Sequence, residues 1–440
     1  MNTRDAARLM RARFEGGSPP PVFDKEIRNF SVDSRSVGAG ELFFAMSPDD
    51  SARHFFTAPS TTDAHEFIPE ALERGAAACV ARAEHFARDE RLRAVAERLL
   101  LVEDVIEALQ RLARGVIDGW GRTVVAITGS SGKTTTKDLA AHVLGATGRR
   151  VVRSRKNFNN ELGVPLSVLQ MVSEGSRAED FDAAVIEMGM SMPGEIARLC
   201  EVAPPDIGVE LLVAPVHLEF FGSIERIAEG KAQLVEGIKP GGTAVLNADD
   251  PRVAAMRSKL RGGGTVLTFG VEQPADVSAT EIESAGVGLS RFTLRTPGGS
   301  ARAELPMPGR HNVMNALAAA AVATRFGLTP GEIAEALQTA APSEMRGEVL
   351  RFAEGFAVVD DSYNSNPRSL VSMTEALVQG GGQAKRRIIV AGEMLELGPE
   401  AALMHREAGR EIAGFGGEAL WGVRGLAREL VGGAREAGMS

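Results

Sequence analysis

The sequence predicts an α/β protein of three domains, with a parallel-sheet domain in the middle built around a phosphate-binding loop. Three observations carry this. Residues 123–128 are an apolar, β-branched run; Gly129-Ser130-Ser131-Gly132-Lys133-Thr134-Thr135 follows, then helical spacing to residue 144. Residues 356–398 repeat strand and helix with polar loops at the strand ends, the order of a doubly wound sheet. A smaller α/β pattern precedes residue 121. The expected domains are 1–121, 122–342 and 343–440.

Composition bounds the function. A chain of 440 residues is long enough for two to four domains, most simply three. Its 44% hydrophobic and 24% charged content fits globular domains with sizeable cores. A net charge of −9 argues against general nucleic-acid binding. Cys79 and Cys200 fit a reducing compartment better than a disulfide framework. Residues 1–17 mix charges and lack the apolar centre of a signal peptide, and no apolar run is long enough to span a bilayer. A cytoplasmic protein with no membrane insertion is expected.

In the first domain, residues 5–14 have the spacing of a short amphipathic helix, ended by the Gly/Pro-rich stretch 16–21. Residues 30–36 and 41–46 read as strands around a turn at Gly38 and Gly40. Helical period at 64–74 leads to a buried strand at 76–81. A strand at 99–102 precedes a helix at 104–117. Ser34, Arg35 and Ser36 suit an anion and suit the capping of a turn equally well on these residues alone.

The middle domain begins with the loop. Glycines let backbone N–H groups approach phosphate oxygens, and the helix start adds positive potential. Lys133 is placed to reach terminal phosphates and the Thr134 hydroxyl to ligate Mg²⁺, in a loop shorter than the ordinary G-x-x-x-x-G-K-[ST]. Arg149, Arg150, Arg153, Arg155 and Lys156 read first as a solvated face, and beside the loop also as a guide for an anionic substrate. The segment from Asn157 to Pro165, holding Asn159 and Asn160, is rich in turn formers and runs into a helix. Residues 181–186 form a buried strand ended by Glu187. A carboxylate there suits Mg²⁺, ahead of the alternative of an acid at the next helix start. His217 follows a strand at 206–213, where a structural histidine and a ligand are equally consistent. Lys231 sits in a helix at 224–238 and on its own reads as solvent-facing. Strands at 243–246 and 266–269, and a hairpin of 289–294 with 301–305 about Pro297-Gly298-Gly299, come next. His311-Asn312 opens an alanine-rich helix to 326, and 330–340 gives another.

In the last domain a strand at 356–359 ends in Asp360-Asp361. The polar loop Asp361-Ser362-Tyr363-Asn364-Ser365-Asn366-Pro367 carries the one tyrosine of the chain and enters a helix at 369–377. A strand at 387–391 ends in Gly392-Glu393-Met394-Leu395-Glu396-Leu397-Gly398.

These segments, taken in order, resemble the Mur ligases, which build the peptide stem of bacterial cell-wall precursors. The short loop Thr128–Thr135, the Asn157 to Pro165 segment, Asp361 to Pro367, and Gly392 to Gly398 with His405 carry the likeness. Ser31-Val32-Asp33-Ser34-Arg35-Ser36 is similar to that family's uridine-nucleotide domain. The resemblance implies a three-domain architecture with a Rossmann-like C-terminal domain and an ATP-dependent, ADP-forming ligation through an acyl phosphate. It points to the step that adds D-alanyl-D-alanine to UDP-N-acetylmuramoyl-tripeptide. Gly129, Ser130, Ser131, Gly132, Lys133, Thr134 and Thr135 are then expected to cradle ATP, with Asn312 near the adenine and Arg346 and Asp361 at the nucleotide. Thr134, Glu187, His217 and Lys231, the last as a carbamate, are expected to serve Mg²⁺. Ser34, Arg35, Asn159, Asn160, Tyr363, Asn364 and Asn366 are expected at the substrates. A monomer is expected.

The chain departs from the family in three places. Val209-Glu210-Leu211-Leu212-Val213 stands where a Thr/Asn-containing strand end is usual, and Asp63-Ala64-His65 where many relatives have Asp-Gly-His. Relatives usually continue past the equivalent of Met439, so a shortened third domain is expected. Two alternatives are a nucleotide-binding relative without turnover and a Mur or folylpolyglutamate-type ligase with another substrate. The set Lys133, Thr134, Glu187, His217 and Lys231 weighs against the first, and the 361–367 and 392–398 segments against the second.

Overall fold

The computed structural model describes residues 1–17, 24–56, 62–216, 218–382 and 384–439, so the prolines at 19–21 and His217 lie outside it. The chain forms two compact units: Met1–Val125 with Arg149–Pro205, and Ala126–Gly148 with Asp206–Ser440.

In the first unit, β1 (Asn29–Ser31), β2 (Glu41–Phe44), β3 (Ala78–Arg82) and β4 (Leu99–Val102) form a parallel sheet in sequence order. β3 and β4 are buried along their whole length, as strands covered on both faces must be. Phe43, Ile68, Leu92 and Leu99 anchor one core cluster, each such side chain contributing about 2 kcal/mol by leaving water. The helix Val105–Trp120 starts at Asp104, whose carboxylate accepts the Glu107 N–H at 2.8 Å, and stops at Gly121, φ +66°. It outlasts the expected end at 117 because Trp120 is buried and its indole N–H donates to the Phe181 carbonyl at 3.0 Å. Next come β5 (Thr123–Thr128), β6 (Val151–Arg153) and β7 (Ala183–Glu187), with β7 between the other two. β6, inside the basic stretch, is a short edge strand parallel to β7. Arg150 pairs with Asp180 and Arg155 with Gln170, as on a solvated face.

In the second unit the end of β5 lies beside β8 (Ile207–Glu210), followed outward by β9 (Thr243–Asn247), β10 (Thr265–Gly270) and β11 (Val277–Ser284), all parallel. The expected hairpin is present as β12 (Ser290–Thr296) and β13 (Gly299–Leu305), antiparallel to each other, with β12 also antiparallel to β11. The alanine-rich helix Arg310–Arg325 is buried along Ala316–Ala323 and packs on the helix Lys133–Gly145. The last stretch holds β14 (Glu348–Arg351) antiparallel to β15 (Ala357–Asp360), and β16 (Ile388–Gly392) parallel to β17 (Ala419–Val423). Among the described residues no helix is long and apolar enough to cross a membrane.

Two helices here meet backbone to backbone. Ala401–Gly414 and Ala427–Glu436 touch through Gly409 and Gly433, where an added Cβ would lie 1.9 Å from the Leu430 and Arg406 carbonyl oxygens. Ion pairs of Arg406 and Arg410 with Glu429 and Glu436 flank the contact. Gly409→Ala is therefore expected to cost about 2 kcal/mol of stability by overpacking, read as a lower denaturant midpoint. Gly414→Ala, whose Cβ meets nothing within 4 Å, is the control and is expected to leave the midpoint equal or slightly higher.

Candidate active site

β5 ends at Thr128 and the next helix begins at Lys133, so only Gly129–Gly132 spans the turn. Gly132 is the N-cap with φ +83°, and a Cβ on it would lie 2.3 Å from Asn315 Oδ1. A Cβ on Gly129 would lie 2.8 Å from the Leu211 Cβ. Ser130 ties the loop to the segment after β8. Its N–H donates to the Leu212 carbonyl at 2.8 Å; its hydroxyl donates to the Ala214 carbonyl at 3.1 Å and accepts the Ala214 N–H at 2.9 Å. Lys133 Nζ reaches back to the Gly129 carbonyl at 2.9 Å. No side chain caps the helix Lys133–Gly145, so its positive end faces into the loop. Thr134, on the first turn, is buried.

A buried charge cluster belongs to the same unit. Lys231, on the helix Ile224–Glu236, is only 2% exposed, against the solvent-facing expectation. The reason is Gly208: a Cβ there would meet Ile238 at 2.8 Å and Leu234 at 3.4 Å, so this helix sits close on β8. Glu210, two residues on, shares that face and is fully buried. Both its carboxylate oxygens lack a hydrogen-bond partner among the described residues. Burial, with the charge of Lys133, pushes the Lys231 amine down to about 7 against the pull of Glu210. Burial pushes Glu210 up to about 8; Lys231 and Lys133 oppose this and Asp250 adds to it. Sequence reasoning gave Glu210 no role, although a carboxylate within an apolar strand was its signal.

The expected nucleotide contacts also fall in this unit. Asn312 is buried; its Nδ2 donates to the Pro308 carbonyl at 2.8 Å, and its Oδ1 accepts from Asn315 Nδ2 at 3.2 Å. Asn315 in turn accepts from the Thr136 hydroxyl at 3.3 Å, so Asn312 is linked to the loop helix through a residue the sequence did not single out. The Arg346 guanidinium lies over the Tyr363 ring at 4.2 Å. Burial raises Asp361 to about 6, with Arg346 opposing and Asp360 adding. Asn364 is exposed and bonds locally to the Ser365 N–H. Asn366 caps the helix Pro367–Gly380 through the Ser369 N–H at 3.0 Å.

The first unit holds the remaining expected residues. Glu187 ends β7 and is buried; its Oε1 accepts from Asn159 Nδ2 at 2.7 Å, and its N–H donates to Ser154 Oγ at 2.9 Å. The next α-helix begins only at Glu195, behind Gly194, which removes the helix-start alternative for Glu187. Asn160 Oδ1 accepts the Gly163 N–H at 2.9 Å. Arg35 is exposed and pairs with Asp33 at 2.8 Å, which holds that carboxyl well below the usual range. The Ser34 and Arg35 carbonyls accept from Arg74. Asp63, His65 and His85 also bring ligand-type atoms within 4.8 Å of one another. His65 Nε2, however, accepts the Arg82 N–H at 2.9 Å, so Nδ1 carries the proton shared with Asp63 at 2.7 Å. With both nitrogens committed, this group is a hydrogen-bonded brace.

The Mur ligase middle domain family matches residues 127–323, and the Mur ligase, glutamate ligase domain family matches residues 345–422. The chain is 35% identical over 393 residues to the UDP-N-acetylmuramoyl-tripeptide–D-alanyl-D-alanine ligase of Bacillus subtilis, covering 88% of this chain and 78% of that one. It is 39% identical over 401 residues to the protein of the same name from Mycobacterium tuberculosis, covering 86% and 74%. Among solved structures it is similar to MurF from Acinetobacter baumannii, with TM-score 0.85, 28% identity, and 98% and 87% of the two chains covered. It is also similar to the MurF ligase from Thermotoga maritima in complex with ADP, with TM-score 0.76, 30% identity, and 92% and 86% covered.

The buried carboxylate yields a prediction for the ligand-free protein. The Glu210 pKa is raised in the fold from 4.5 to about 8. Its stabilising share is therefore complete below pH 4.5 and is lost as pH rises through about 8. Glu210→Gln removes that loss. The variant is expected to melt like wild type at pH 4.5 and above it at pH 8, by scanning calorimetry. A lower midpoint at the upper pH would instead mark Glu210 as ionised and paired.

Proposed function

The chain belongs to the Mur ligase family, and we propose that it is the ATP-dependent ligase joining D-alanyl-D-alanine to UDP-N-acetylmuramoyl-tripeptide in peptidoglycan precursor synthesis. What carries the reading is likeness, across most of both chains, to proteins of that name, in a chain whose phosphate loop is complete. The domains we assign are 1–121 for the UDP-sugar substrate, 122–342 for ATP and 343–440 as the Rossmann-like third domain. We place the protein in the cytoplasm as a monomer.

The reaction balances in two steps. The terminal carboxylate of the tripeptide attacks the γ-phosphorus of ATP; a carboxyl O–P bond forms, the bond to the bridging oxygen breaks, and ADP leaves. The dipeptide amine then attacks the acyl carbonyl, an amide forms, phosphate leaves with the bonding pair, and the amine gives up a proton. Negative charge moves among phosphoryl oxygens throughout, so catalysis is chiefly positioning and electrostatic. Gly129–Thr135 cradle the phosphates with the helix end and with the loop N–H groups other than that of Ser130, which holds the loop's shape, and Lys133 offers an ammonium for the terminal phosphates. Asn312, Arg346 and Asp361 bind the rest of the nucleotide. Ser34, Arg35, Asn159, Asn160, Tyr363, Asn364 and Asn366 hold the two acceptors.

Mg²⁺ fits the donors present. A hard cation takes oxygen ligands; Thr134 and Glu187 are of that kind, and the unpartnered Glu210 oxygens call for a nearby positive charge. Thr134, Glu187, His217 and Lys231 are the residues we assign to hold it, where it would neutralise charge on the transferring oxygens. Pushed down to about 7, Lys231 is available in part as the neutral amine, the form that adds CO₂ to give a carbamate and a proton.

Phosphate release with ATP, Mg²⁺, UDP-N-acetylmuramoyl-tripeptide and D-alanyl-D-alanine is expected to need all four, with the pentapeptide product seen by mass. Release that proceeds without the dipeptide would sink the assignment. Lys133→Ala is expected to lower kcat by about 10²–10³, the effect of removing one preorganised charge-stabilising group.

A further inference from the structure

His54 follows the short helix Pro48–Ala52 in the first unit, and its side chain is buried. Its Nδ1 lies 2.9 Å from Glu161 Oε2, and its Nε2 lies 3.1 Å and 3.2 Å from the two Asp104 oxygens. Ionised carboxylates only accept, so a ring that satisfies both is an imidazolium donating from both nitrogens. Both carboxylates are buried. Glu161 Oε2 also accepts the Phe55 N–H at 3.1 Å, and Arg198 Nε stands 3.7 Å from Oε1. Arg53 is a further cation acting on Asp104. Burial disfavours the charged ring, but the hydrogen bonds and charges of Asp104 and Glu161 outweigh it and raise His54 to about 9.

Glu161 is the next residue after Asn159 and Asn160. On the near side of that turn, the Asn159 carbonyl accepts the Gly189 N–H at 2.8 Å and its Nδ2 donates to Glu187 at 2.7 Å. The approach needs Gly189, whose Cβ would lie 2.7 Å from Asn159 Oδ1. On the far side the turn is held by the Glu161 side chain, a buried anion whose counter-ion is His54. Gln110 adds a longer bond to the Glu161 carbonyl, at 3.4 Å. Removing one partner of a buried pair strands the other charge, and the segment carrying it must shift to find water.

We propose that His54 is a positioning residue for substrate binding: clamped by Asp104, it pins Glu161 and so sets the Asn159–Asn160 turn on which the UDP-N-acetylmuramoyl-tripeptide docks. The identity of that ligand rests on the ligase assignment; the clamp itself does not.

His54→Gln tests this. The glutamine keeps a donor but loses the charge and the second arm. Amide hydrogen exchange across residues 157–163 is expected to speed up about tenfold, and the KM for the UDP-tripeptide to rise by about the same factor, the worth of one charged hydrogen bond. The kcat and the KM for ATP are expected to stay near wild type. Wild-type kcat/KM for the UDP-tripeptide is expected to fall as pH passes about 9, a limb absent from the variant. Unchanged exchange at 157–163, or faster exchange with an unchanged KM, overturns the proposal. A wild-type protein without dipeptide-dependent turnover would defeat the ligase assignment instead. Exchange, with calorimetric binding of the UDP-tripeptide, then decides the clamp, and wild-type affinity in His54→Gln overturns it. Should that variant fail to fold, His54→Gln/Glu161→Gln removes the imidazolium together with the carboxylate at the turn, leaving Asp104 to the Glu107 N–H and the charge of Arg53; it is expected to fold and keep the raised KM, and a wild-type KM in it overturns the proposal.

Discussion

Charge held away from water is the constraint on which the second unit's site depends. Lys133, Lys231 and Glu210 act on one another beside a loop shaped for a polyanion. Neither the Lys231 amine nor the Glu210 carboxylate is tolerated alone in such a place, so the protonation of each depends on the charges around it. Burial lowers the Lys231 amine and raises the Glu210 carboxyl, so the fold favours the uncharged form of each. A polyphosphate brings several negative charges to the same place. Its field favours the neutral form of Glu210.

The loop can hold that chemistry because distant parts of the chain fix its floor. Ser130 spends its N–H and its hydroxyl on the carbonyls and N–H of residues 212–214. That commits the side chain to the loop's own shape. Asn315 comes so near Gly132 that no side chain fits there. It reaches that point because the alanine-rich helix Arg310–Arg325 packs closely on Lys133–Gly145. Small residues in one helix and glycines in the other segment answer the same steric demand.

Much of this was legible in the sequence wherever local chemistry decides. The strand, loop and helix at 123–145 follow from an apolar run, two glycines and helical period. The β12–β13 hairpin follows from Pro297-Gly298-Gly299 between alternating runs. What escaped depends on contacts far apart in sequence. β6 is three residues inside a run of arginines, and β11 carries Glu281 and Glu283 on a largely exposed end. The helix Ala401–Gly414 contains Gly409, which weakens helical propensity and is required only by the helix packed on it. Lys231 looks solvent-facing because its burial is set by Gly208, on another element. His54 lies in a stretch without periodicity, and only the fold brings Asp104 and Glu161 to its two nitrogens.

Two of the asparagines assigned to substrates already accept backbone N–H groups where a helix begins, and that decides what they offer. Asn160 and Asn366 each commit Oδ1 to a backbone N–H at the start of a helix. Asn312 instead commits Nδ2 to a carbonyl and Oδ1 to Asn315. A backbone N–H accepted at Oδ1 fixes the amide plane, so the Nδ2 groups of Asn160 and Asn366 point in directions set before any ligand arrives. Those groups can only donate. Fixed donors suit a substrate rich in phosphate, carbonyl and carboxylate oxygens, and they lose little freedom on binding it. The bonds that begin the helices thereby also prepare the turns for an anionic substrate.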